Sequence, residues 1–187
     1  GPSEVLVIAD AKANPRYIAA DLLSQAEHDT LACSILLTPS QDIAEKVAVE
    51  VDKQLAKLSR NEIAKKSIES YGRIVVTETM EEAIDLANEI APEHLELAVE
   101  NPFDYLNKIR NAGAIFLGEY SPEPLGDYFA GPNHTLPTSG TAKFASPLSV
   151  DAFIKKSSVI YYTREALSSV KDKIIRIAES ETLTAHA

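Results

Sequence analysis

The most constraining feature of the chain is an alternation of two hydrophobic periods. Val5-Leu6-Val7-Ile8 is a short unbroken apolar run, the pattern of a strand buried on both faces. Asn14-Pro15 then supplies a cap and a first helical residue, and Ile18, Leu22 and Gln25 follow at helical spacing. A second apolar run covers 31–37 and stops at Pro39. From Ser40, residues Ile43, Val47, Val51, Leu55 and Leu58 recur every three or four positions, and another helical stretch covers 61–70. Residues 73–77 read as a strand. Thr79-Met80-Glu81-Glu82 reads as a capping box opening a helix that runs to Pro92. A strand over 95–99, a helix from Asn101-Pro102 through Ile109 and a strand over 114–117 complete the series. This rhythm predicts an α/β fold, a mostly parallel sheet with flanking helices, because parallel strands need helical crossovers.

The rhythm breaks at Gly118. Residues 119–149 show no clear period and hold Pro122, Pro124, Pro132, Pro137 and Pro147. A loop of that length inside a compact domain is usually functional, and Tyr128, Phe129, Leu136 and Phe144 can anchor it. Beyond it, 159–162 reads as a strand and 164–179 as an amphipathic helix. The expected organisation is an α/β body over 1–147 and a small C-terminal helical appendage over 148–187.

Charge and composition exclude several function classes. Eighteen basic against 28 acidic residues leave a net charge of −10, which repels phosphate backbones and anionic lipid. No nucleic-acid or membrane partner is expected. The single cysteine, Cys33, makes no internal disulfide and sits in an apolar run, as a buried inert thiol does. No signal-peptide pattern precedes the first strand, which begins four residues in, so the chain either starts naturally there or is cut from something longer. Phosphate-binding and nucleophile-elbow motifs are absent, Gly-x-Gly-x-x-Gly among them.

The chemistry-bearing residues cluster around four histidines. Gln25 and His28 are three apart at a helix end and can offer an amide oxygen and an imidazole to one point, as metal ligands do. The alternative is an interior amide and a helix C-terminal cap. Glu93-His94 is a carboxylate beside an imidazole at a helix-to-strand junction, a plausible acid/base pair. Against it, ligands in open α/β sheets usually bind at the carboxyl ends of strands, and adjacent residues need not point the same way. Asp127 and His134 lie in Gly126-Asp127-Tyr128 and Gly131-Pro132-Asn133-His134 of the long loop. They read as ligands or substrate contacts, or as ordinary turn residues. Glu181 and His186 stand in the last seven residues, where disorder is the ordinary expectation. The residues alone thus reach a metal or acid/base site built from Gln25, His28, Asp127 and a further His, and no substrate.

Several strings, in order along the chain, resemble the histidinol dehydrogenase family. They are the opening 1–10, Asp21-Leu22-Leu23-Ser24-Gln25-Ala26-Glu27-His28, Ala91-Pro92-Glu93-His94-Leu95, 111–118, Gly126-Asp127-Tyr128, Gly131-Pro132-Asn133-His134, Leu136-Pro137-Thr138 and Leu183-Thr184-Ala185-His186. The resemblance implies a Rossmann-like body and an enzyme of histidine biosynthesis. Such an enzyme oxidises L-histidinol through L-histidinaldehyde to L-histidine, with NAD and one substrate-holding zinc per active site. It implies Gln25, His28, Asp127 and His186 as zinc ligands, His94 as general base of the alcohol step and Glu93 as the group that activates water for the aldehyde step. Ser3, Gln25, His28, His94, Asp127, His134, Glu181 and His186 match substrate-site positions. It further implies a cytoplasmic homodimer (or an organellar stroma, for a plant-type source), with Glu181 and His186 reaching the partner's site.

The family chain is much longer, and this one matches its C-terminal part, less than half. The positions that contact NAD lie in the other part, so this chain alone is expected to lack dehydrogenase activity. Gly1-Pro2 belongs to the family string and reads as native. Two other classes compete: a zinc-dependent hydrolase using Glu93 and bound water, and a zinc- or histidinol-binding module or split-enzyme subunit.

Overall fold

The computed structural model describes residues 2–187. Among them, five strands form one all-parallel sheet in the order β3-β2-β1-β4-β5: β1 Glu4–Ala9, β2 Cys33–Thr38, β3 Arg73–Val76, β4 His94–Ala98 and β5 Ala114–Leu117. Helices α1 Pro15–Ala26, α2 Gln41–Leu55, α3 Asn61–Tyr71 and α4 Met80–Ile90 make the crossovers, and the single turn α5 Phe103–Leu106 leads into β5. The alternation read from sequence is therefore the fold, an α/β sheet with flanking helices.

The unbroken apolar run of β1 is explained by burial on both faces. Val5, Val7 and Ala9 pack with Ile18, Leu22, Leu23, Ile43 and Val47 of α1 and α2. Leu6 and Ile8 turn the other way, onto Ala83, Ile84 and Ala87 of α4 together with Leu95 and Leu97 of β4. Side chains alternate along a strand. The register pairs Val5 with His94 and Val7 with Glu96, so these two polar residues share the α1 face while Leu95 and Leu97 face α4.

Local chemistry sets the helix ends. Asn14 accepts the Arg16 N–H and Pro15 opens α1; Ser40 accepts the Ile43 N–H ahead of α2. Thr79 accepts the Glu82 N–H, but Glu82 reaches back to the Glu78 N–H rather than to that of Thr79, so the expected capping box is shifted by one residue. At its far end α4 closes on Ala91 in the left-handed region (φ 54°), which turns the chain sharply into Pro92 and β4.

Three elements depart from the periodicity. The aperiodic stretch contains a short helix, α6 Glu123–Tyr128, whose Pro124 and Gly126 hide it from a pattern search. The helix after Pro102 ends at Leu106 instead of reaching Ile109. Residues 159–162 form no strand; all four are exposed, with no hydrogen-bonded ladder to hold them. The chain divides into two compact units, 1–152 and 153–187. The second is built on helix α7 Arg164–Ser180, capped by Thr163 and followed by a turn through Thr182 in the left-handed region.

Candidate active site

The buried ionisable residues of the first unit, Glu93, His94, Glu96 and Glu123, collect toward the amino ends of β1 and β4, opposite the edge where an open α/β sheet usually binds ligands. Glu4 and His94, the first residues of these strands, make the junction. The Glu4 N–H donates to the Glu93 carboxylate (2.9 Å), and the Glu93 N–H donates to the Glu4 carboxylate (3.2 Å). The other Glu4 oxygen accepts the Ser139 N–H (3.0 Å), which ties the long loop to the start of the sheet. His94 Nδ1 lies 2.9 Å from the Glu4 carbonyl oxygen. A carbonyl only accepts, so Nδ1 carries the hydrogen and the neutral ring keeps its lone pair on Nε2. That atom is buried and has no hydrogen-bond partner; it faces oxygens of Glu123 and Asp127, each 4.0 Å away.

Helix α6 delivers those two carboxylates. Glu123 and Asp127 are four apart and so share one helix face. Gly126 lets α6 lie against the Phe116 ring of β5, where a Cβ would stand 2.7 Å from the ring edge. Phe116 also flanks His94, with ring centroids 6.0 Å apart. Together His94, Glu123 and Asp127 place ligand atoms within 4.8 Å of one another, a grouping able to hold a cation. Behind them lies Glu96, buried in the middle of β4. It accepts the Glu123 N–H at 3.0 Å and hydrogen-bonds the Asp21 carboxyl of α1.

Burial dominates the electrostatics. It pushes the Glu96 carboxyl up to about 9, helped by the charge of Asp21, so Glu96 holds its proton at neutral pH and donates it to Asp21. Asp21 is itself raised to about 6 by burial and lowered by that hydrogen bond. Glu123 is raised to about 7 by burial and by the adjacent Asp127. Burial raises Glu93 as well, against the opposing effect of the Glu4 N–H. Carboxyl groups adjusted in this way suit proton transfer near neutrality. A cavity of about 470 Å³ runs along β5, walled by Phe116, Leu125, Asp127, Asn133 and Leu136. It reaches Asp127 but not His94 or Glu93, so it lies beside the polar cluster rather than around it.

The histidinol dehydrogenase family model matches residues 1–187. The chain belongs to the histidinol dehydrogenase family. Histidinol dehydrogenase from Caldanaerobacter subterraneus is 64% identical over 96% of this chain, and that from Clostridium acetobutylicum is 60% identical over all of it. The crystal structure of histidinol dehydrogenase from Elizabethkingia anophelis superposes with a TM-score of 0.91 at 46% identity over the whole chain. The chain spans 42% and 43% of the length of those two relatives and 43% of the solved structure.

The residues that the histidinol dehydrogenase resemblance singles out fall in three places. His94, Glu93 and Asp127 come together at the amino ends of β1 and β4. Gln25, near the end of α1, is buried and its Oε1 has no partner. Ser3 directly precedes β1 and its carbonyl accepts the Cys33 N–H. His28 and His134 are exposed. His28 lies beyond the helix end, because α1 stops at Ala26 with Glu27 as cap. Glu181 and His186 belong to the second unit, in the turns after α7. Sequence reasoning missed Glu4, Glu96 and Glu123. The signal for Glu96 was present: His94-Leu95-Glu96-Leu97 alternates in a strand buried on both faces, which forces a carboxyl into the interior.

Proposed function

We propose that this chain carries the acid/base half of a histidinol dehydrogenase, which converts L-histidinol through L-histidinaldehyde to L-histidine in the cytoplasm. The observation that carries the reading is His94, whose buried Nε2 is left free because Nδ1 is committed to the Glu4 carbonyl. With Nδ1–H donated to that carbonyl, Nε2 is the ring atom left to accept a proton. In the alcohol step Nε2 takes the hydroxyl proton as the carbon gives up a hydride. In the aldehyde step Glu93, its basicity raised by burial, takes a proton from water as the water adds to the carbonyl. Loss of a second hydride from the hydrate leaves the carboxylic acid.

The two hydrides would go to two NAD, one each, held by residues outside this chain. A zinc ion fits the donor set: Gln25 Oε1 is a buried oxygen without a partner, and oxygen and nitrogen donors suit zinc. Gln25, His28, Asp127 and His186 would hold it, and it would fix the substrate's nitrogens. Ser3, His134 and Glu181 would complete the substrate site. His186 and Glu181 would come from the partner subunit of a homodimer. The chain alone then lacks dehydrogenase activity.

A second reading is favoured by the close approach of His94, Glu123 and Asp127, in which His94 is a metal ligand rather than a base. One variant separates the two. In the polypeptide extended to the relatives' length, His94→Asn should lower NAD reduction with L-histidinol by about 100-fold or more while zinc content stays unchanged. Loss of zinc with activity supports the second reading, and full activity overturns both.

A further inference from the structure

We infer that Glu96, braced by Asp21, is a positioning residue that sets α6 and α1 against β4 and so places Asp127 and Gln25 at the site; the inference rests on the reading proposed above. Three elements meet here: β4 and α1 each give one residue to the site and one to the layer beneath it, and α6 gives two carboxylates to the site and its first N–H to the layer beneath. Strand β4 gives His94 and, two residues on, Glu96. Helix α1 gives Gln25 and, four residues earlier, Asp21. Helix α6 gives Asp127 and Glu123 to the site and the Glu123 N–H to the layer beneath. A step of four along a helix rises about 6 Å, and a step of two along a strand about 6.6 Å, so the two layers match between α1 and β4.

The lower layer is joined by hydrogen bonds that cross between elements. One Glu96 oxygen accepts the Glu123 N–H, at 3.0 Å, in the first turn of α6. The same carboxyl hydrogen-bonds Asp21 on α1. Glu96 is 5% exposed, so water cannot replace either partner cheaply. Helix α6 has few other anchors. It is six residues long, follows Pro122 with no side-chain cap, and leaves Leu125 and Tyr128 exposed. Packing of Gly126 on Phe116 holds the helix against the sheet, and the Glu96 bond sets where its axis starts. Asp127, one turn further on, inherits that placement and comes within 4.0 Å of His94 Nε2.

A residue kept only for stability behaves differently from one that positions. Replacing Glu96 by an apolar side chain of similar length strands the Glu123 N–H and the Asp21 carboxyl, so Glu96→Met costs stability whichever role the residue plays. The two roles are separated by where exchange speeds up, and Glu96→Gln is the conservative control. The glutamine amide still accepts from Glu123 N–H and still donates to Asp21.

The experiment compares the wild-type chain, Glu96→Gln, Glu96→Met and Asp21→Ala by amide hydrogen exchange, melting temperature and titration with Zn²⁺ alone. Glu96→Met should melt below wild type, and exchange at the Glu123 amide should speed up at least about tenfold more than exchange at the β1 and β4 amides. Glu96→Gln should remain within about threefold of wild type at Glu123, and Asp21→Ala should fall between. Unchanged protection at Glu123 in Glu96→Met overturns the inference. So does a loss of protection over β1 and β4 as large as that at Glu123, the mark of a purely structural role. Should Glu96→Met fail to fold, Asp21→Ala decides by the same criterion. Zn²⁺ affinity should drop with Glu123 protection. A wild-type chain that binds no Zn²⁺ counts against the zinc reading alone, and the exchange data still decide the positioning role.

Discussion

Replacing Glu4 by alanine removes one carboxylate that holds two backbone segments to the start of β1. The side chain accepts the Glu93 N–H at 3.2 Å in a half-buried setting and the Ser139 N–H at 3.0 Å near solvent. A hydrogen bond to a charged acceptor contributes about 1.5–3 kcal/mol. The Glu93 bond is long and belongs at the low end of that range. Water can take over the Ser139 N–H, which leaves about 0.5 kcal/mol for it. The Glu4 charge also repels Glu93, so its removal returns a little. The main-chain bonds of Glu4, to the Glu93 carboxylate and to His94 Nδ1, survive the substitution. The net loss is about 2 kcal/mol, or a fall in Tm of about 4–8 °C for a chain of this size. Urea unfolding followed by circular dichroism reads the difference directly. Glu4→Gln keeps one acceptor oxygen and should fall midway. An alanine variant within about 0.5 kcal/mol of wild type would refute the assignment of Glu4 as the clamp between β1, Glu93 and the long loop.

Stability should also depend on pH through Glu96. Its folded-state value of about 9 lies above the ordinary 4.5, so the folded chain binds the extra proton. Stability is intact below the ordinary value and falls as pH rises through the window from 4.5 to about 9, by up to about 1.4 kcal/mol per pH unit for this group. Asp21 and Glu123 add the same sign over narrower windows, up to about 6 and about 7. Glu96→Gln should flatten the curve measured by urea unfolding across this window, and parallel curves would count against a buried proton on Glu96. Two glycines test the close packing around the site. An alanine Cβ at Gly113 would stand 2.5 Å from the Glu93 carbonyl oxygen, and at Gly126 2.7 Å from the Phe116 ring. Overpacking costs about 1–3 kcal/mol, with Gly113→Ala at the upper end because main chain must move. Gly126→Ala should destabilise although helix propensity alone favours alanine by about 1 kcal/mol; a stabilised variant would show that α6 does not rest on Phe116.

The sheet was legible because a doubly buried strand and an amphipathic helix have different periods; β1, β2 and β4 carry that signal, and the edge strands β3 and β5 carry apolar runs although β3 is exposed and β5 half-buried. The site was legible only in part. Glu93, His94 and Asp127 stand out as residue types, and the structure brings them together. What brings them together did not stand out. Helix α6 is short, and its Pro124 and Gly126 argue locally against a helix that tertiary packing imposes. Each of the Glu4 bonds at the site has a main-chain atom at one end, which no side-chain pattern records. Residues 159–162 carry a strand's composition without a neighbour to pair with, and β propensity needs such a neighbour.

The placement of the polar cluster at the amino ends of the strands has a consequence for where the chain tolerates change. The turns entering α1, α2 and α4, at 10–14, 39–40 and 77–79, lie at the other end of the sheet. Lengthening such a turn twofold costs only about 0.6 kcal/mol in closure entropy. A tag or reporter domain inserted at 39–40 therefore leaves Glu4, Glu93 and His94 in register. The same insertion at 91–93 or 111–113 separates the residues that meet there. The sheet thus insulates its chemistry from the turns at 10–14, 39–40 and 77–79, and those turns are where length variation and engineered fusions belong.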